Sequence, residues 1–358
     1  MQLKRHKQNP ILKPIKNNTW ESGAVFNCGA IYSGGLVHLL YRAIGEYDYY
    51  ISTLGHAISK DGINFKREKK PVFKPRQRYE KWGCEDPRIT KIGNKFYITY
   101  VALCKPAKKG GGPPQTAMAC TKDFVHFERH GLLIPRVLDN RDVVLFPEKI
   151  GGKYIMLHRP HNWTKKCVCK KQGKLYLKKK EKISKWWPFA KKISESKEKW
   201  ITWPIKEKPN YFPEKPSIWI AYSNNLKDWF GHQVIMEPKE YWENVKIGAG
   251  SPPIKTDKGW LLIYHGVGED KNKILKYCAG AALLDLKNPS VVIARTKKPI
   301  LEPQKDYEIF GDVPNVVFPE GAIVKKDELF VYYGAADKTC CLATCKLKKL
   351  LNFLLKTK

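Results

Sequence analysis

Residues 259–266 read GWLLIYHG, a turn glycine followed by a short apolar strand that ends in an aromatic residue and a histidine. A turn followed by an apolar strand that ends in an aromatic residue or a histidine occurs four more times, and the five copies end at Tyr41, Tyr100, His158, Tyr264 and Tyr333. Their spacings are 59, 58, 106 and 69 residues, so removing about 50 residues from the long gap restores the period. The chain is therefore built from five repeats of one strand-forming unit.

A second strand precedes each copy, enters through Pro or Gly and reaches Ile. Its five instances begin at Asn27, Asp86, Phe146, Ser251 and Phe318. Most copies are followed by a further strand with a turn signal, such as residues 59–65. Short strands with regular turns and a period near 58 residues are typical of propeller blades. The sequence predicts an all-β fold, a five-bladed β-propeller in which residues 1–358 form one catalytic domain. A β-sandwich or two small β-domains would not explain the fivefold recurrence.

The long gap contains a lysine-rich insertion, which we place within the third repeat at about residues 163–215. Thirteen lysines lie between Lys165 and Lys197, together with tryptophans at 186, 187, 200 and 203. Such a segment could cover the acceptor side of the channel, bind a polyanion or contact an acidic membrane surface. The alternative is a solvated surface segment that packs around its own tryptophans and has no function of its own.

Equivalent positions of a propeller surround one central channel. The residue after the last aromatic residue or His of each copy is Arg42, Val101, Arg159, His265 or Gly334. Two arginines and a histidine at one level would repel one another unless an anion lies between them. The alternative is an exposed rim in which each cation pairs with its own carboxylate.

The preceding strands supply the other polar groups. Asp86 opens the inner strand of the second blade, and Asn27 occupies the equivalent place in the first. Two further cations, Arg141 and Lys246, are expected just before inner strands. A cluster of cations beside one acid is the arrangement that phosphorolysis requires.

Several motifs, in order along the chain, resemble those of glycoside hydrolase family 130, the β-mannoside phosphorylases and related β-mannosidases. They are Trp20-Glu21 with Val25-Phe26-Asn27, Tyr41-Arg42-Ala43, Glu85-Asp86-Pro87-Arg88, residues 145–150 (LFPEKI), residues 248–253 (GAGSPP), Tyr264-His265-Gly266 and residues 332–337 (YYGAAD). The resemblance runs from Asn9 to Asp337 and excludes the insertion. Glu-Asp-Pro-Arg alone would be less specific than the set.

The resemblance implies roles for eight residues. Asp86 matches the general acid, which in the family is thought to act through a sugar hydroxyl. Phosphate ligands match Arg141, Arg159, Lys246 and His265, and sugar contacts match Asn27, Arg42 and Asp337. The implied reaction is the inverting phosphorolysis of β-mannosides to α-mannose 1-phosphate and an acceptor sugar. Inorganic phosphate is then a co-substrate, and no metal or organic cofactor is expected.

Two other functions remain open at this point. A β-mannosidase of the same family would use water, but such members lose the phosphate cations, and all four are present here. A non-catalytic carbohydrate-binding propeller is disfavoured because Asp86 is retained. The acceptor sugar and the oligomeric state, including a homo-oligomer, are not fixed by the sequence.

The formal net charge of +32 raises the question of nucleic-acid binding. Much of the excess lies in the insertion, and the rest is dispersed lysine, so no nucleic-acid partner is expected. The charged N-terminus lacks the apolar segment of a signal peptide, and no run of 18 apolar residues occurs. We therefore expect a cytoplasmic protein whose ten cysteines are reduced.

Overall fold

The computed structural model of the chain describes residues 1–106, 113–134, 139–171, 174–179, 199–202, 209 and 211–356. Five antiparallel sheets are arranged as the blades of a β-propeller, so the predicted fold is confirmed. No helix in the described ranges is long and apolar enough to cross a membrane.

The strands follow one another from the channel outward in each blade. The first strand, β1, is Lys4–Arg5. Blade one contains β2 (Ala24–Ser33), β3 (Leu36–Ile44), β4 (Ser52–Ser59) and β5 (Lys66–Arg67). Blade two contains β6 (Cys84–Ile92), β7 (Lys95–Ala102), β8 (Gln115–Thr121) and β9 (Phe127–Leu132).

Blade three begins with β10 (Asn140–Leu145) and β11 (Tyr154–Pro160). The chain then forms a separate three-stranded sheet of β12 (Val168–Lys171), β13 (Lys174–Lys179) and β14 (Lys199–Thr202). It returns to blade three as β15 (Ile218–Ser223) and β16 (Trp229–Met236). The extra sheet therefore lies within the third repeat, where the insertion was predicted. Trp186, Trp187 and Trp203 fall outside the described residues.

Blades four and five complete the ring. Blade four contains β17 (Lys246–Ala249), β18 (Ile254–Thr256), β19 (Gly259–Glu269), β20 (Leu275–Leu284) and β21 (Val292–Arg295). Blade five contains β22 (Val317–Lys325), β23 (Glu328–Ala335) and β24 (Thr339–Lys346). Its fourth strand is β1, which pairs with β24 through Lys4–Thr344 and Arg5–Ala343. The N-terminus thus closes the propeller.

The helices are short and peripheral. Two 3-10 turns, Arg78–Glu80 and Tyr241–Glu243, and helix α1 (Asp306–Ile309) precede inner strands. Helix α2 (Leu347–Lys356) follows β24 and buries Leu350, Leu351 and Leu354. The apolar core lies between neighbouring blades: Leu157 and Ile220 of blade three, for example, share a cluster with Leu262 of blade four. Burial between sheets, rather than within any one sheet, therefore holds the ring together.

A buried contact repeats in four blades. The tyrosine near the end of the second strand donates a hydrogen bond to a buried glutamate of the loop before the inner strand. The pairs are Tyr41–Glu21 (2.8 Å), Tyr100–Glu80 (2.5 Å), Tyr264–Glu243 (3.0 Å) and Tyr333–Glu308 (2.8 Å). Each glutamate also pairs with an arginine of the outermost strand, respectively Arg67, Arg129, Arg295 and Arg5. We call this Tyr–Glu–Arg contact the blade latch. The contact fixes the loop between two blades. This loop is thereby held next to the channel residue that follows the tyrosine in the sequence.

Three details differ from the sequence prediction. Residues 251–253, where the inner strand of blade four was predicted to begin, lie between β17 and β18 and belong to no strand. The inner strand of blade three is β10, whereas residues 146–150, which were predicted to form it, follow that strand; Ile150 makes only an isolated bridge with Lys153. Arg141 and Lys246 lie inside inner strands rather than before them, as the second residue of β10 and the first of β17. Residues 146–150 were assigned to the inner strand of blade three because they resemble Phe318–Ile323 in sequence. Such a resemblance contains no information about which strands pair.

Candidate active site

The inner strands carry irregularities at one level of the channel. The pairing shifts register around Asn27 in β2, around Asp86 in β6 and around Asp142 in β10. These three residues have φ values of 46°, 52° and 56°. Asn and Asp are among the few residues that tolerate this left-handed backbone, and such bulges re-aim side chains next to active sites. The same local device therefore supplies a polar group to the channel in three blades.

Asp86 lies on one side of the channel between two donors. Asn27 Nδ2 donates to Asp86 Oδ1 at 2.9 Å, and Arg42 Nη1 approaches the same oxygen at 3.2 Å. Both contacts use Oδ1, and no hydrogen bond within the described part of the chain involves Oδ2. One carboxyl oxygen of Asp86 is therefore held by donors of the protein, and the other, Oδ2, remains for a substrate group.

Arg42 is itself held by a second carboxylate. Its Nη2 donates to Glu85 Oε1 at 2.5 Å, and its Nε donates to Ser52 Oγ at 2.9 Å. Ser52 also donates to Glu85 Oε1 at 3.0 Å. Burial raises the pKa of Glu85, while Arg42 opposes the shift. Glu85 and Ser52 thus orient the guanidinium that contacts Asp86.

Gly334 makes room for Asn27. A Cβ atom at this ring position would lie 1.9 Å from Asn27 Oδ1, which no packing allows. The ring therefore contains glycine here for a physical reason: any side chain would displace the donor to Asp86.

Asp337 lies where the charges of Arg42, Asp86 and Glu85 act on it. Burial raises its pKa to about 7, and Arg42 opposes this shift. A carboxyl group that titrates near neutrality can either donate or accept a hydrogen bond, as a site for sugar hydroxyls requires. Asp337 thus lies within the electrostatic influence of Arg42 and Asp86, and its role as a sugar contact stays a prediction.

The second half of the channel is organised by Asp142. Arg159 Nε donates to Asp142 Oδ2 at 2.5 Å, and Arg88 Nη2 donates to Oδ1 at 3.2 Å. His265 Nε2 lies 3.5 Å from Oδ2. Burial would raise the pKa of Asp142. The neighbouring charges, that of Arg159 above all, oppose burial and hold this pKa well below its usual range. Gly248 permits this approach, because a Cβ there would lie 2.1 Å from Asp142 Oδ2 and 2.6 Å from His265 Cε1.

Lys246 and Arg141 join this group. Arg141 pairs with Arg159 across β10 and β11, and its side chain, 39% exposed, binds Asp139 at 2.9 Å. Burial and the charges of Arg159 and Arg141 lower the pKa of Lys246 to about 8. Among the described residues Lys246 forms no ion pair with a carboxylate, and its Nζ lies 5.2 Å from the centroid of the Tyr277 ring. The site therefore contains a half-buried cation that has no carboxylate partner in the described part of the chain.

His265 is neutral in this environment. Burial lowers its pKa to about 3, because the attraction of Asp142 does not compensate for the loss of water. The ring is fully buried, packs 4.5 Å from the Phe318 ring, and has no hydrogen bond to either nitrogen within the described residues. The sequence grouped His265 with the cations; the structure makes it a hydrogen-bonding group instead.

Three residues of the site were not identified from the sequence: Asp142, Arg88 and Glu85. One signal was available for Asp142, since it occupies the position of Asn27 and Asp86 in its repeat. It was hidden by the incorrect inner strand of blade three. Arg88 contacts partners far away in the sequence, such as Gly250 O at 3.2 Å, and no local pattern predicts such contacts.

One cluster in the described residues has the composition of a metal site. Cys120, Glu128 and His130 place their ligand atoms within 4.8 Å of one another on blade two, away from the channel. Lys95 Nζ lies 3.4 Å from Glu128, and His130 Nε2 lies 3.2 Å from the Cys120 sulfur, so the groups satisfy one another without a metal. The nine cysteines whose side chains are described are free thiols.

The family model of glycoside hydrolase family 130, described as beta-1,4-mannooligosaccharide phosphorylase, matches residues 2–212 and 191–356. The chain belongs to glycoside hydrolase family 130. It is 40% identical to a 1,2-beta-oligomannan phosphorylase of Thermoanaerobacter sp. strain X514, over 98% of this chain and 99% of that protein. A beta-1,2-mannobiose phosphorylase of the same organism is also 40% identical, over 97% of this chain and 98% of that protein.

A solved structure extends the comparison. The beta-1,2-mannobiose phosphorylase of Listeria innocua, in complex with beta-1,2-mannobiose, superposes with a TM-score of 0.73 at 29% identity. The match covers 99% of each chain. The resemblance seen in the sequence motifs is therefore confirmed, and it extends over the whole family 130 fold.

Proposed function

We propose that this chain catalyses the inverting phosphorolysis of β-mannosides, with Asp86 as the general acid and Arg141, Arg159, Lys246 and His265 as the phosphate site. The two relatives that are 40% identical are named phosphorylases, so the chain is a glycoside phosphorylase, an enzyme that transfers a glycosyl group to phosphate. The roles of individual residues and the inverting course are the proposal.

The observation that carries the phosphate site is the cation Lys246, which forms no ion pair with a carboxylate among the residues that the structure describes. It lies beside Arg141 and Arg159, and their repulsion contributes to its lowered pKa. An anion bound between the three would remove that repulsion and gain charge-assisted hydrogen bonds. The two nitrogens of His265 provide a further buried donor or acceptor without a partner in the described residues.

The sugar would bind on the other side of the channel. Asn27, Arg42 and Asp337 surround Asp86 there, and each offers hydrogen-bonding groups to a ring hydroxyl. A mannosyl unit between the two halves would place its anomeric carbon between the phosphate and Asp86. Binding both reactants in this order makes the displacement effectively unimolecular.

The reaction then needs one protein carboxyl group. A phosphate oxygen attacks the anomeric carbon while the glycosidic bond breaks, and the leaving oxygen takes the Asp86 proton, directly or through a sugar hydroxyl. One displacement inverts the configuration, so a β-mannoside gives α-mannose 1-phosphate. An inverting hydrolase would require a second carboxylate as the base for water. Asp142, on the phosphate side, is engaged by Arg159 and Arg88 and is unsuited to that task.

We further propose β-1,2-linked mannosides as the substrate class. The two relatives that are 40% identical are named for 1,2-linked oligomannan and mannobiose, and each aligns over almost the whole chain. The insertion of blade three is connected to β11 directly after the phosphate-site strand ends at Pro160. We therefore propose that the described sheet β12–β14 lies on the channel face and affects the preferred length of the acceptor chain.

The test is an incubation of β-1,2-mannobiose with and without phosphate, followed by NMR analysis of the products. We expect α-mannose 1-phosphate and mannose, formed only when phosphate is present. Release of mannose at the same rate without phosphate would identify a hydrolase. Formation of the β-phosphate would contradict the inverting course, and cleavage of β-1,4-mannobiose in preference would contradict the linkage.

A further inference from the structure

In the described residues of blade three, the blade latch is absent. His158 occupies the place of the latch tyrosine, and His232 lies in the outermost strand, which supplies the arginine elsewhere. The loop before β10, residues 133–139, contains no glutamate. The third-strand partner of the latch tyrosine is small in the other blades, namely Gly55, Ala117, Gly280 or Cys341, whereas His158 pairs with Trp219. Every member of the latch contact therefore differs in blade three, and so does the third-strand residue that pairs with it.

The replacement is a buried chain of polar groups. His158 Nδ1 lies 2.9 Å from the Asn140 side-chain oxygen, and His158 Nε2 lies 3.0 Å from His232 Nδ1. His232 Nε2 lies 3.3 Å from the carbonyl oxygen of Trp229. The indoles of Trp163 and Trp219 pack against His158 with ring centroids 5.6 and 6.4 Å away. Burial lowers the pKa of both histidines, His232 to about 4, so both rings are neutral near pH 7.

Neutral rings allow two directions for this chain of hydrogen bonds. If Asn140 presents its oxygen, the proton of His158 lies on Nδ1 and that of His232 on Nδ1, which leaves His232 Nε2 facing a carbonyl, lone pair against lone pair. Rotating the Asn140 amide by half a turn removes this conflict. Asn140 Nδ2, which has no partner among the described residues in the first orientation, then donates to His158 Nδ1. His158 Nε2–H donates to His232, and His232 Nε2–H donates to the Trp229 carbonyl.

These hydrogen bonds begin on the two strands that hold the phosphate-site arginines, β10 and β11. Asn140 directly precedes Arg141, and His158 directly precedes Arg159. The pairs Asn140–Pro160 and Arg141–Arg159 are adjacent rungs of the β10–β11 ladder. Asn140 also anchors this end of β10 through its carbonyl, which accepts a hydrogen bond from Thr116 at 2.8 Å. Any rotation of Asn140 or His158 would therefore be passed to the arginine beside it.

We propose that Asn140, His158 and His232 are positioning residues for the phosphate site, ordered in the direction Asn140 to His158 to His232 to the Trp229 carbonyl. They take the place of the blade latch in the one blade that contributes two phosphate-site arginines. Neutral imidazoles fix the strand without adding a buried carboxylate, which would compete with phosphate for Arg141 and Arg159. The proposal rests on the phosphate site proposed above.

The kinetic test compares three variants with the wild type. His232→Leu removes the last two hydrogen bonds, whereas His232→Gln can accept from His158 and donate to the Trp229 carbonyl with one amide. Tyr333→Phe removes a latch hydrogen bond in blade five, which holds no proposed phosphate ligand, and is the matched control. We expect His232→Leu to raise the KM for phosphate about tenfold, equivalent to about 1.4 kcal/mol, with a smaller change in kcat. His232→Gln should restore most of the affinity, and Tyr333→Phe should lower only the melting temperature.

A purely structural role would give a different result: His232→Leu and Tyr333→Phe would both lower the melting temperature and leave the KM for phosphate unchanged. That outcome would overturn the proposal. Wild-type turnover that does not depend on phosphate would instead refute the proposed function, so the two failures are distinguishable.

The direction of the hydrogen bonds from Asn140 to the Trp229 carbonyl can be tested without any variant and without an activity assay. In protein labelled with 15N-histidine, NMR should show His158 and His232 as neutral rings protonated on Nε2. His158 protonated on Nδ1 would contradict the proposed order, and a charged ring near pH 7 would contradict the neutral pair. This measurement also applies if His232→Leu fails to fold.

Discussion

Replacing Lys246 by methionine is the sharpest test of the phosphate site. Methionine keeps most of the length and the apolar stem but removes the only cation of the group that has no carboxylate partner in the described residues. A charge-assisted hydrogen bond to phosphate contributes about 1.5–3 kcal/mol. Its loss should raise the KM for phosphate roughly 10- to 150-fold, at about 1.4 kcal/mol per tenfold. The KM for the mannoside should change much less.

The pH dependence gives a second signature of Lys246. Its pKa of about 8 means that the free enzyme loses this positive charge as the pH rises through 8. Phosphate affinity of the wild type should therefore fall above pH 8, and the fall should be absent from Lys246→Met. Because the charged form is disfavoured by burial and by two arginines, the variant should unfold at a temperature equal to or above that of the wild type.

The assay is initial rate at varied phosphate and fixed, saturating mannoside, from pH 6.5 to 9. Lys255→Met is the matched control, because Lys255 is a half-exposed lysine that pairs with Glu148 at 2.6 Å on the surface. An unchanged KM for phosphate in Lys246→Met, or an equal rise in Lys255→Met, would refute the reasoning.

Two further predictions concern the site, and a third concerns a buried histidine of blade one. Asp86→Asn should lower kcat about 10²- to 10⁴-fold at an unchanged melting temperature, because one acid proton is lost without a change in shape; a rate above half that of the wild type would exclude Asp86 as the acid. Gly334→Ala should displace Asn27 and lower kcat/KM for the mannoside while the KM for phosphate stays constant, as rates at varied concentrations of each substrate would reveal. His56 lies buried in β4 of blade one, and this burial lowers its pKa to about 4, below the value of about 6.5 expected in the unfolded chain. Its contribution to stability is therefore complete above pH 7 and is lost as the pH falls from about 6.5 toward 4. Thermal melts should show a steeper loss over this range in the wild type than in His56→Gln.

The sequence predicted the fold because each blade repeats the same two-strand signal. It also predicted that Asp86, Asn27 and Arg42 would meet, since a ring of repeats brings equivalent positions to one channel. The grouping of Arg159 with His265 followed from the same symmetry. These predictions succeeded because they depend on local strand patterns and on closure of the ring, both of which are visible in the sequence.

Other features required the three-dimensional structure. The neutral state of His265 depends on complete burial against Phe318, which no motif reports. The position of Asp142 depends on a bulge in β10, and the misleading Phe146–Ile150 segment concealed that strand. The exchange of the latch for two histidines involves residues 74 positions apart, His158 and His232. Burial and long-range pairing decide all three features.

Arg88 shows how the two halves of the site are kept in register. Its buried guanidinium donates to the Asp86 carbonyl in its own blade at 2.9 Å, to Asp142 in blade three at 3.2 Å and to Gly250 O in blade four at 3.2 Å, and lies 3.0 Å from Glu320 in blade five. One side chain thus contacts four blades at the level of the bulges. A buried charge bound by several partners is costly to disturb. The acid and the anchor of the phosphate cations are therefore fixed relative to each other by a single rigid group, so substrate binding can align phosphate, sugar and acid without rearranging the blades.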